Sequence, residues 1–340
     1  MSEAFRVGVT PDFQTQAAGL LEPALRDVLS GIEWEFMSDT GPAATRDVAD
    51  RYDAVIALGL AFPRAALDGV RRLAVIARWG VGYDRIDVPA CTANDVMLAI
   101  TPDAVRRPVA EGAITLILAL AKNLLRLDQA CRAGGWRERI PRTSQNIEGK
   151  TLGSVGVGNI GAEMFRIARG MGFGRLLGYD PYLQAPPEGV QMTDLETVMR
   201  ESDFVAVNCL LNEQTRGLIG AREIGWMKPT VYLVNTARGP IIQEAALIEA
   251  LHQGRIAGAG LDVFEDEPVD PGNPLLKMDN VIVAPHAVAW TMEAFRDNSL
   301  YACRNVAAVT CGEAPRHVVN RDVLDRPGCR AKLARWRKNA

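Results

Sequence analysis

The chain has 340 residues, a length typical of about two domains. With 48% hydrophobic and 23% charged residues, its composition is typical of a globular protein and excludes a disordered or fibrous chain. The formal net charge of -3, from 38 Lys and Arg against 41 Asp and Glu, gives no overall attraction to nucleic acid or to an anionic membrane, so we expect neither as a partner.

Short β-branched runs alternate with helical stretches along the chain, which predicts an α/β fold. A long helix over Asp103–Leu127 follows the first group of strands, and its longest apolar run is too short to cross a bilayer. The predicted strands before this helix are Phe5–Thr10, Trp34–Met37, Ala54–Leu58, Leu73–Ala77 and Val96–Leu98. Those after it are Leu152–Val157, Leu176–Tyr179, Phe204–Val207, Val231–Asn235, Gly258–Val263 and Val281–Ala284.

Beyond these strands the pattern returns to a helix at Thr291–Thr310 and a strand-like segment at His317–Asn320. No separate domain fits there, so we expect this segment to pack on the first domain and make it discontinuous. The basic stretch Arg326–Lys338 is either a solvated tail or a polyanion-binding tail.

The cysteines show no CxxC pair and no metal-ligand spacing, which favours reduced, mostly buried thiols and no metal site. The N-terminus has no secretory pattern, and we interpret the protein as cytoplasmic. The six cysteines are Cys91, Cys131, Cys209, Cys303, Cys311 and Cys329.

A glycine motif, GVGNIG, joins a predicted strand to a predicted helix. Gly156 permits the tight turn, Gly158 lets the backbone approach a pyrophosphate, and Gly161 allows close helix packing. Asp180 ends the next strand, where a carboxylate accepts hydrogen bonds from an adenosine ribose and repels a 2′-phosphate. The motif predicts a dinucleotide site and favours NAD over NADP.

Polar residues follow three later strands, at the edge where a parallel sheet places its ligands. Arg238 can grip a carboxylate, and His286 is suited to acid/base chemistry with Glu267 as its carboxylate partner. Each has an ordinary alternative: a surface ion pair for Arg238, a solvated acid for Glu267 and a structural histidine for His286. Spacing alone leaves these alternatives open.

Five motifs in chain order resemble those of the D-isomer-specific 2-hydroxyacid dehydrogenase family. The resemblance implies two doubly wound parallel-sheet domains: a Rossmann NAD-binding domain at residues 101–290 and a discontinuous flavodoxin-like substrate domain at 1–100 and 291–340. The motifs are ARWGVGYDRIDV at Ala77–Val88, VGVGNIG at Val155–Gly161, NTARGP at Asn235–Pro240, GLDVFEDEP at Gly260–Pro268 and APH at Ala284–His286.

Position by position, the resemblance places the catalytic groups on Arg238, Glu267 and His286. It also implies that the amides of Val81 and Gly82 hold the substrate carboxylate. Trp290 is either a core residue or a wall of the substrate pocket. The implied cofactor contacts are Gly156, Gly158, Asn159, Ile160, Gly161, Asp180, Cys209, Thr236, Ala237, Arg238, Asp262 and His286.

The resemblance implies an NAD-dependent oxidoreductase, a homodimer, that interconverts a small unphosphorylated D-2-hydroxy acid and its 2-oxo acid. Reduction of the glyoxylate or hydroxypyruvate type is the favoured reaction. The alternative is an NAD(H)-sensing, corepressor-like binding protein on the same fold. Two positions depart from the family: Gly112 stands where a histidine is frequent, and Leu210 where a proline is frequent.

Overall fold

The computed structural model describes residues 4–137 and 144–337. The chain divides into two compact units. The first combines Met1–Val105 with Thr291–Ala340, and the second is Arg106–Trp290. The chain passes from one unit to the other inside a long helix and again after Trp290.

The first unit is built on a five-stranded sheet in which every neighbouring pair is parallel. The strand order, β2-β1-β3-β4-β5, is that of a flavodoxin-like sheet. The strands are β1 (Arg6–Val9), β2 (Glu33–Phe36), β3 (Ala54–Ala57), β4 (Val75–Arg78) and β5 (Met97–Ala99). The helices before residue 100 are α1 (Phe13–Gln16), α2 (Ala18–Val28), α3 (Arg46–Ala49), α4 (Arg64–Leu67) and α5 (Val88–Ala93).

Burial on both faces explains the continuous apolar runs of this sheet. All four residues of β3 are buried, and one face of the sheet is covered by α2 and by the C-terminal helix α12 (Met292–Thr310). Ala302, Val306 and Val309 of α12 are fully buried in the same core as β1. The C-terminal segment is therefore part of the first unit's core.

The second unit contains a seven-stranded parallel sheet in the order β12-β11-β10-β9-β6-β7-β8, which is the Rossmann order with one further strand. The strands are β6 (Thr151–Val155), β7 (Arg175–Tyr179), β8 (Gln191–Met192), β9 (Phe204–Val207), β10 (Tyr232–Asn235), β11 (Gly258–Leu261) and β12 (Val281–Val283). The helices are α6 (Pro102–Ala121), α7 (Leu124–Arg132), α8 (Asn159–Gly170), α9 (Leu195–Glu201), α10 (Ala221–Trp226) and α11 (Glu244–His252). The α/β class and the two parallel sheets are confirmed.

Two local predictions are wrong and one short strand was missed. The long helix does not continue to Leu127: it ends at Ala121, and Asn123 takes a left-handed φ of 51° before α7 begins. The two-residue β8 was not predicted, because so short a run carries no periodicity. Within His317–Asn320, Val318 forms only an isolated antiparallel bridge to Ala99.

The basic C-terminal stretch is not a free tail over its described residues, although Arg326, Arg330, Arg335 and Arg337 are exposed, and its binding of a polyanion stays a prediction. It contains α13 (Pro327–Ala334), and the Nζ atom of Lys332 donates to the carbonyls of Leu73 at 2.7 Å and Asn94 at 2.9 Å. Trp336 packs edge-on against Phe5, with ring centroids 4.8 Å apart. The tail as far as Arg337 is therefore docked on the first unit, and Lys338 lies outside the described residues.

The six cysteines are free thiols, of which Cys91, Cys303 and Cys329 are buried, Cys131 and Cys311 exposed and Cys209 intermediate. Among the described residues, no group of three or more metal-ligating side chains could hold a metal ion. No single described helix is long and apolar enough to cross a membrane; α6 and α7 pass that test only as a pair bent by 59°.

Candidate active site

The centre of the candidate site is a histidine held by a glutamate. The Nδ1 atom of His286 lies 2.8 Å from Oε2 of Glu267, and Oε1 of Glu267 accepts a hydrogen bond from the amide of Phe264 at 3.1 Å. The His286 side chain is 45% exposed, and its Nε2 atom makes no hydrogen bond among the described residues. The carboxylate therefore fixes the ring, and Nε2 is available to a ligand.

The electrostatics of this pair keep Glu267 ionised. Burial raises the pKa of Glu267, but the hydrogen bond and charge of His286, the Phe264 amide and the Arg238 guanidinium together outweigh it and hold the pKa below its ordinary value. The ionised carboxylate therefore places a negative charge 2.8 Å from Nδ1 of His286.

Asp262 positions the backbone that carries His286. The Asp262 carbonyl accepts the His286 amide at 2.7 Å, and its Oδ1 atom accepts the amides of Ala287 at 2.8 Å and Val288 at 3.0 Å. His286 has a φ of 53°, which is uncommon for a residue with a side chain. Burial raises the pKa of Asp262, and the two amide bonds to Oδ1 only partly oppose this. Its Oδ2 atom has no hydrogen bond among the described residues, so it can still accept one from a ligand.

Arg238 follows β10 in a turn organised by Asn235. The Asn235 side chain accepts the amide of Ala237 at 3.0 Å and donates to the carbonyl of Arg238 at 2.9 Å. A Cβ atom on Gly239 would lie 1.8 Å from the carbonyl oxygen of Phe264, so only glycine fits between the two loops. The turn after β10 is thus packed directly on the loop that begins at Phe264 and carries Glu267. Sequence reasoning missed Asn235 as a site residue, although an Asn at the end of a buried strand is a signal for such a turn.

The glycine turn has the form that a dinucleotide needs. Gly156 has a φ of 93° and lies against Cys209, whose amide a Cβ atom would approach to 2.5 Å. Gly158 precedes α8, and a Cβ atom there would meet nothing within 4 Å. The first amides of α8, including those of Asn159 and Ile160, have no intrahelical partners. Open space above Gly158 next to these donors fits a pyrophosphate.

Asp180 lies beside this turn at the end of β7. Its Oδ2 atom accepts the amide of Val157 at 2.9 Å and its Oδ1 atom that of Tyr182 at 3.0 Å. Burial raises the pKa of the Cys209 thiol to about 12, so Cys209 lines this region as a neutral group. The Thr236 hydroxyl oxygen is buried without a hydrogen-bond partner among the described residues, as expected for a ligand-facing group. These residues fit the NAD contacts predicted for them.

A second feature missed by the sequence is the network under the glycine turn. The Ser154 hydroxyl donates to the carbonyl of Gly156 at 2.6 Å and accepts from the Asn208 side chain at 2.9 Å. The network ties the turn to the end of β9, and no sequence signal separates Ser154 and Asn208 from ordinary strand residues.

The predicted substrate residues are divided between the two units. Val81 and Gly82 lie in the first unit, and their amides make no hydrogen bond among the described residues. The Arg78 Nε atom donates to the carbonyl of Gly82 at 2.8 Å. This hydrogen bond fixes the loop through a carbonyl group and does not involve the two amides. Trp290 belongs to the second unit and is 55% exposed, so of its two interpretations the core position is wrong.

Comparisons with known proteins give one consistent family. Residues 114–288 match the family described as D-isomer specific 2-hydroxyacid dehydrogenase, NAD binding domain. The chain is 36% identical over 314 residues to the glyoxylate reductase of Korarchaeum cryptofilum, covering 89% of this chain and 94% of that protein. It is 38% identical to the glyoxylate reductase of Thermofilum pendens, covering 76% and 78%. The crystal structure of a glyoxylate reductase from Paecilomyes thermophila superimposes with a TM-score of 0.81 at 30% identity, covering 94% and 99%.

Proposed function

The chain belongs to the D-isomer specific 2-hydroxyacid dehydrogenase family and is an NAD-dependent oxidoreductase, and from this premise we propose that it reduces a small unphosphorylated 2-oxo acid, of the glyoxylate or hydroxypyruvate type, to the D-2-hydroxy acid. The observation that carries the proposal is the hydrogen bond between His286 and Glu267, with Nε2 of His286 available. The relatives found are named as enzymes, so the corepressor-like alternative is not favoured.

In this proposal the protein's own groups bind and protonate the substrate. Arg238 orients the 2-oxo acid through its carboxylate and carbonyl oxygen, because a guanidinium donates two parallel hydrogen bonds. His286, protonated and stabilised by Glu267, gives the proton on Nε2 to the developing alkoxide. The amides of Val81 and Gly82 hold the substrate carboxylate. In oxidation, neutral His286 takes the proton back.

NADH, when bound, supplies the hydride to C2 of the substrate. The amides at Asn159 and Ile160 hold its pyrophosphate, Asp180 its adenosine ribose and Oδ2 of Asp262 its carboxamide. Glyoxylate-type substrates are favoured over phosphorylated ones because the loop after β3 reads Leu58-Gly59-Leu60 and has no cationic side chain of its own; the nearby Arg85 guanidinium donates to the Gly59 carbonyl at 3.0 Å.

The test is loss of NADH absorbance with glyoxylate, hydroxypyruvate, pyruvate and 3-phosphohydroxypyruvate. We expect turnover of the unphosphorylated acids, a rate lower by about 10²-fold or more in His286→Gln, and a raised KM for the 2-oxo acid in Arg238→Lys. His252→Gln, at an exposed histidine of α11, is the control and retains full activity. Tight NADH binding without turnover of any 2-oxo acid would contradict the proposal.

We also propose that the protein is a homodimer through the second unit. Helix α7 has a strongly amphipathic sequence but no buried residue, with Leu124 56% and Leu125 40% exposed. A groove of about 580 Å³ separates it from the edge strand β12, where Val283 is also exposed. An apolar helix face beside an open strand edge is suited to an identical copy.

Sedimentation tests this proposal. The wild type should sediment at twice the chain mass of 36.9 kDa, and Leu125→Glu should lower the dimer affinity. Met292→Glu, at an apolar residue outside the groove that is more exposed than Leu125, should leave the dimer intact. A wild type that sediments as a monomer would refute it.

A further inference from the structure

Gly112 occupies the interior of α6, where glycine is less favourable than alanine. A glycine in such a position usually has a packing reason. Here the reason is visible: Gly112 is buried, and a Cβ atom on it would lie 2.7 Å and 3.1 Å from the two γ carbons of Val288. The missing side chain makes a notch in α6 that is filled by Val288.

Val288 is two residues from His286 and shares its constraints. One side of the segment is bonded to Asp262, through the amides of His286, Ala287 and Val288. On the other side, Val288 packs against the core that includes Ala113 and Leu116 of α6. His286 belongs to the first of these attachments and lies two residues before the second. Its left-handed φ persists because these surroundings enforce it.

We propose that Gly112 and Val288 form a positioning pair. Their contact sets the distance between α6 and the backbone at residues 286–288, so that the imidazole of His286 reaches Glu267. Neither residue touches the reacting atoms; they act through the backbone at residues 286–288. The inference rests on the proposed acid/base role of His286 and adds a requirement on helix α6 that the catalytic motifs do not contain.

The two side chains offer a direct test by exchange. Gly112→Ala forces Val288 away and displaces the segment at residues 286–288. Adding Val288→Ala removes both γ carbons, and the remaining Cβ of residue 288 would lie 3.4 Å from the methyl introduced at residue 112. We expect Gly112→Ala to lower kcat about 10- to 100-fold with the Kd for NADH within about twofold of wild type. The double variant Gly112→Ala/Val288→Ala should recover kcat to within about threefold of wild type.

A spectroscopic readout separates this inference from the proposed function. The ring N–H of His286 that faces Glu267 gives a downfield proton resonance, identified among the three histidines by its loss in His286→Gln. We expect this resonance to broaden or vanish in Gly112→Ala and to return in the double variant, whether or not a 2-oxo acid is turned over. Gly225→Ala, in α10 with nothing within 4 Å of the new methyl, is the matched control and leaves resonance and kcat unchanged.

The outcomes are decisive in either direction. An unchanged resonance and kcat in Gly112→Ala, or a folded double variant without recovery, overturns the positioning role. If Gly112→Ala does not fold, a folded double variant with the resonance restored supports it, and failure of both to fold makes the notch purely structural. A wild type with the resonance but no reductase activity refutes the proposed function alone.

Discussion

Oε2 of Glu267 and Nδ1 of His286 lie 2.8 Å apart although the two residues are 19 positions apart in the chain. Their contact joins the loop after β11 to the segment after β12, two neighbouring strands at one edge of the Rossmann sheet. Because β11 and β12 are parallel neighbours, their carboxyl ends lie at the same end of the sheet. This explains how an acid and a histidine from separate motifs become one acid/base unit.

Replacing Glu267 by Gln should remove the charge but keep an acceptor for the Phe264 amide. We expect a folded protein whose kcat falls about 10²-fold, because the protonated imidazole loses its counter-charge. The pKa of Glu267 is lowered, so its contribution is present above its ordinary pKa of 4.5 and is lost as the pH falls through the lower folded value. The pH dependence of kcat for wild type and variant measures this; wild-type activity lost by protonation of Glu267 above pH 4.5 would contradict it.

Asp262→Asn should change stability in a pH-dependent way. Burial raises the pKa of Asp262, so folding disfavours its ionised form and the wild type loses stability as the pH rises through that value. Asn keeps an oxygen for the amides of Ala287 and Val288. The Tm of Asp262→Asn should therefore rise relative to that of the wild type between about pH 4 and about pH 8. Thermal unfolding at both pH values measures the difference.

Asp194 provides the control of opposite sign. It caps α9 by accepting the Thr197 amide at 2.7 Å, and this hydrogen bond lowers the pKa of its carboxyl group. Its charge stabilises the folded state above its ordinary pKa of 3.8, so the Tm deficit of Asp194→Asn should already be present at about pH 4 and should stay constant up to about pH 8. Equal pH trends in the two variants would refute the assignment for Asp262.

Cofactor choice should depend on the charge of Asp180. Asp180→Asn retains an acceptor for one of the two amides, of Val157 or Tyr182, but removes the repulsion of a 2′-phosphate. We expect the ratio of kcat/KM for NADPH to that for NADH to rise about tenfold or more, mainly through KM. Steady-state kinetics with both cofactors at a saturating 2-oxo acid measures the ratio, and an unchanged ratio would place cofactor choice elsewhere.

Much of the fold could be predicted because strand runs and glycine signals are local. Each long strand was located within two residues, as β9 (Phe204–Val207) shows, whose residues are all buried. The break at Asn123 was missed because a single left-handed residue between two consecutive helices leaves the helical pattern almost unchanged.

The motifs also named the chemical groups of the site, but not what holds them. The notch at Gly112 depends on its contact with Val288, which is distant in the chain, and a single sequence contains no signal of such a contact. The Asn235 turn is local, since Asn235 bonds to Ala237 and Arg238, and its signal was overlooked. The docking of α13 depends on distant contacts in the same way: its basic composition predicts a solvated surface, whereas Lys332 is held by two backbone carbonyls.

Two glycines of the second unit should separate cofactor binding from folding. A methyl on Gly158 meets nothing within 4 Å, whereas on Gly239 it would lie 1.8 Å from the Phe264 carbonyl oxygen. We expect Gly158→Ala to keep the wild-type Tm but to weaken NADH binding about tenfold or more, because the methyl occupies the approach of the pyrophosphate. Gly239→Ala should instead lose about 3 kcal/mol of folding free energy, because a backbone carbonyl cannot yield to the methyl. Thermal unfolding with and without NADH distinguishes them: the cofactor should raise the Tm of Gly158→Ala less than that of the wild type. An equal NADH-induced rise of Tm in the two proteins would show that the pyrophosphate does not bind at this turn.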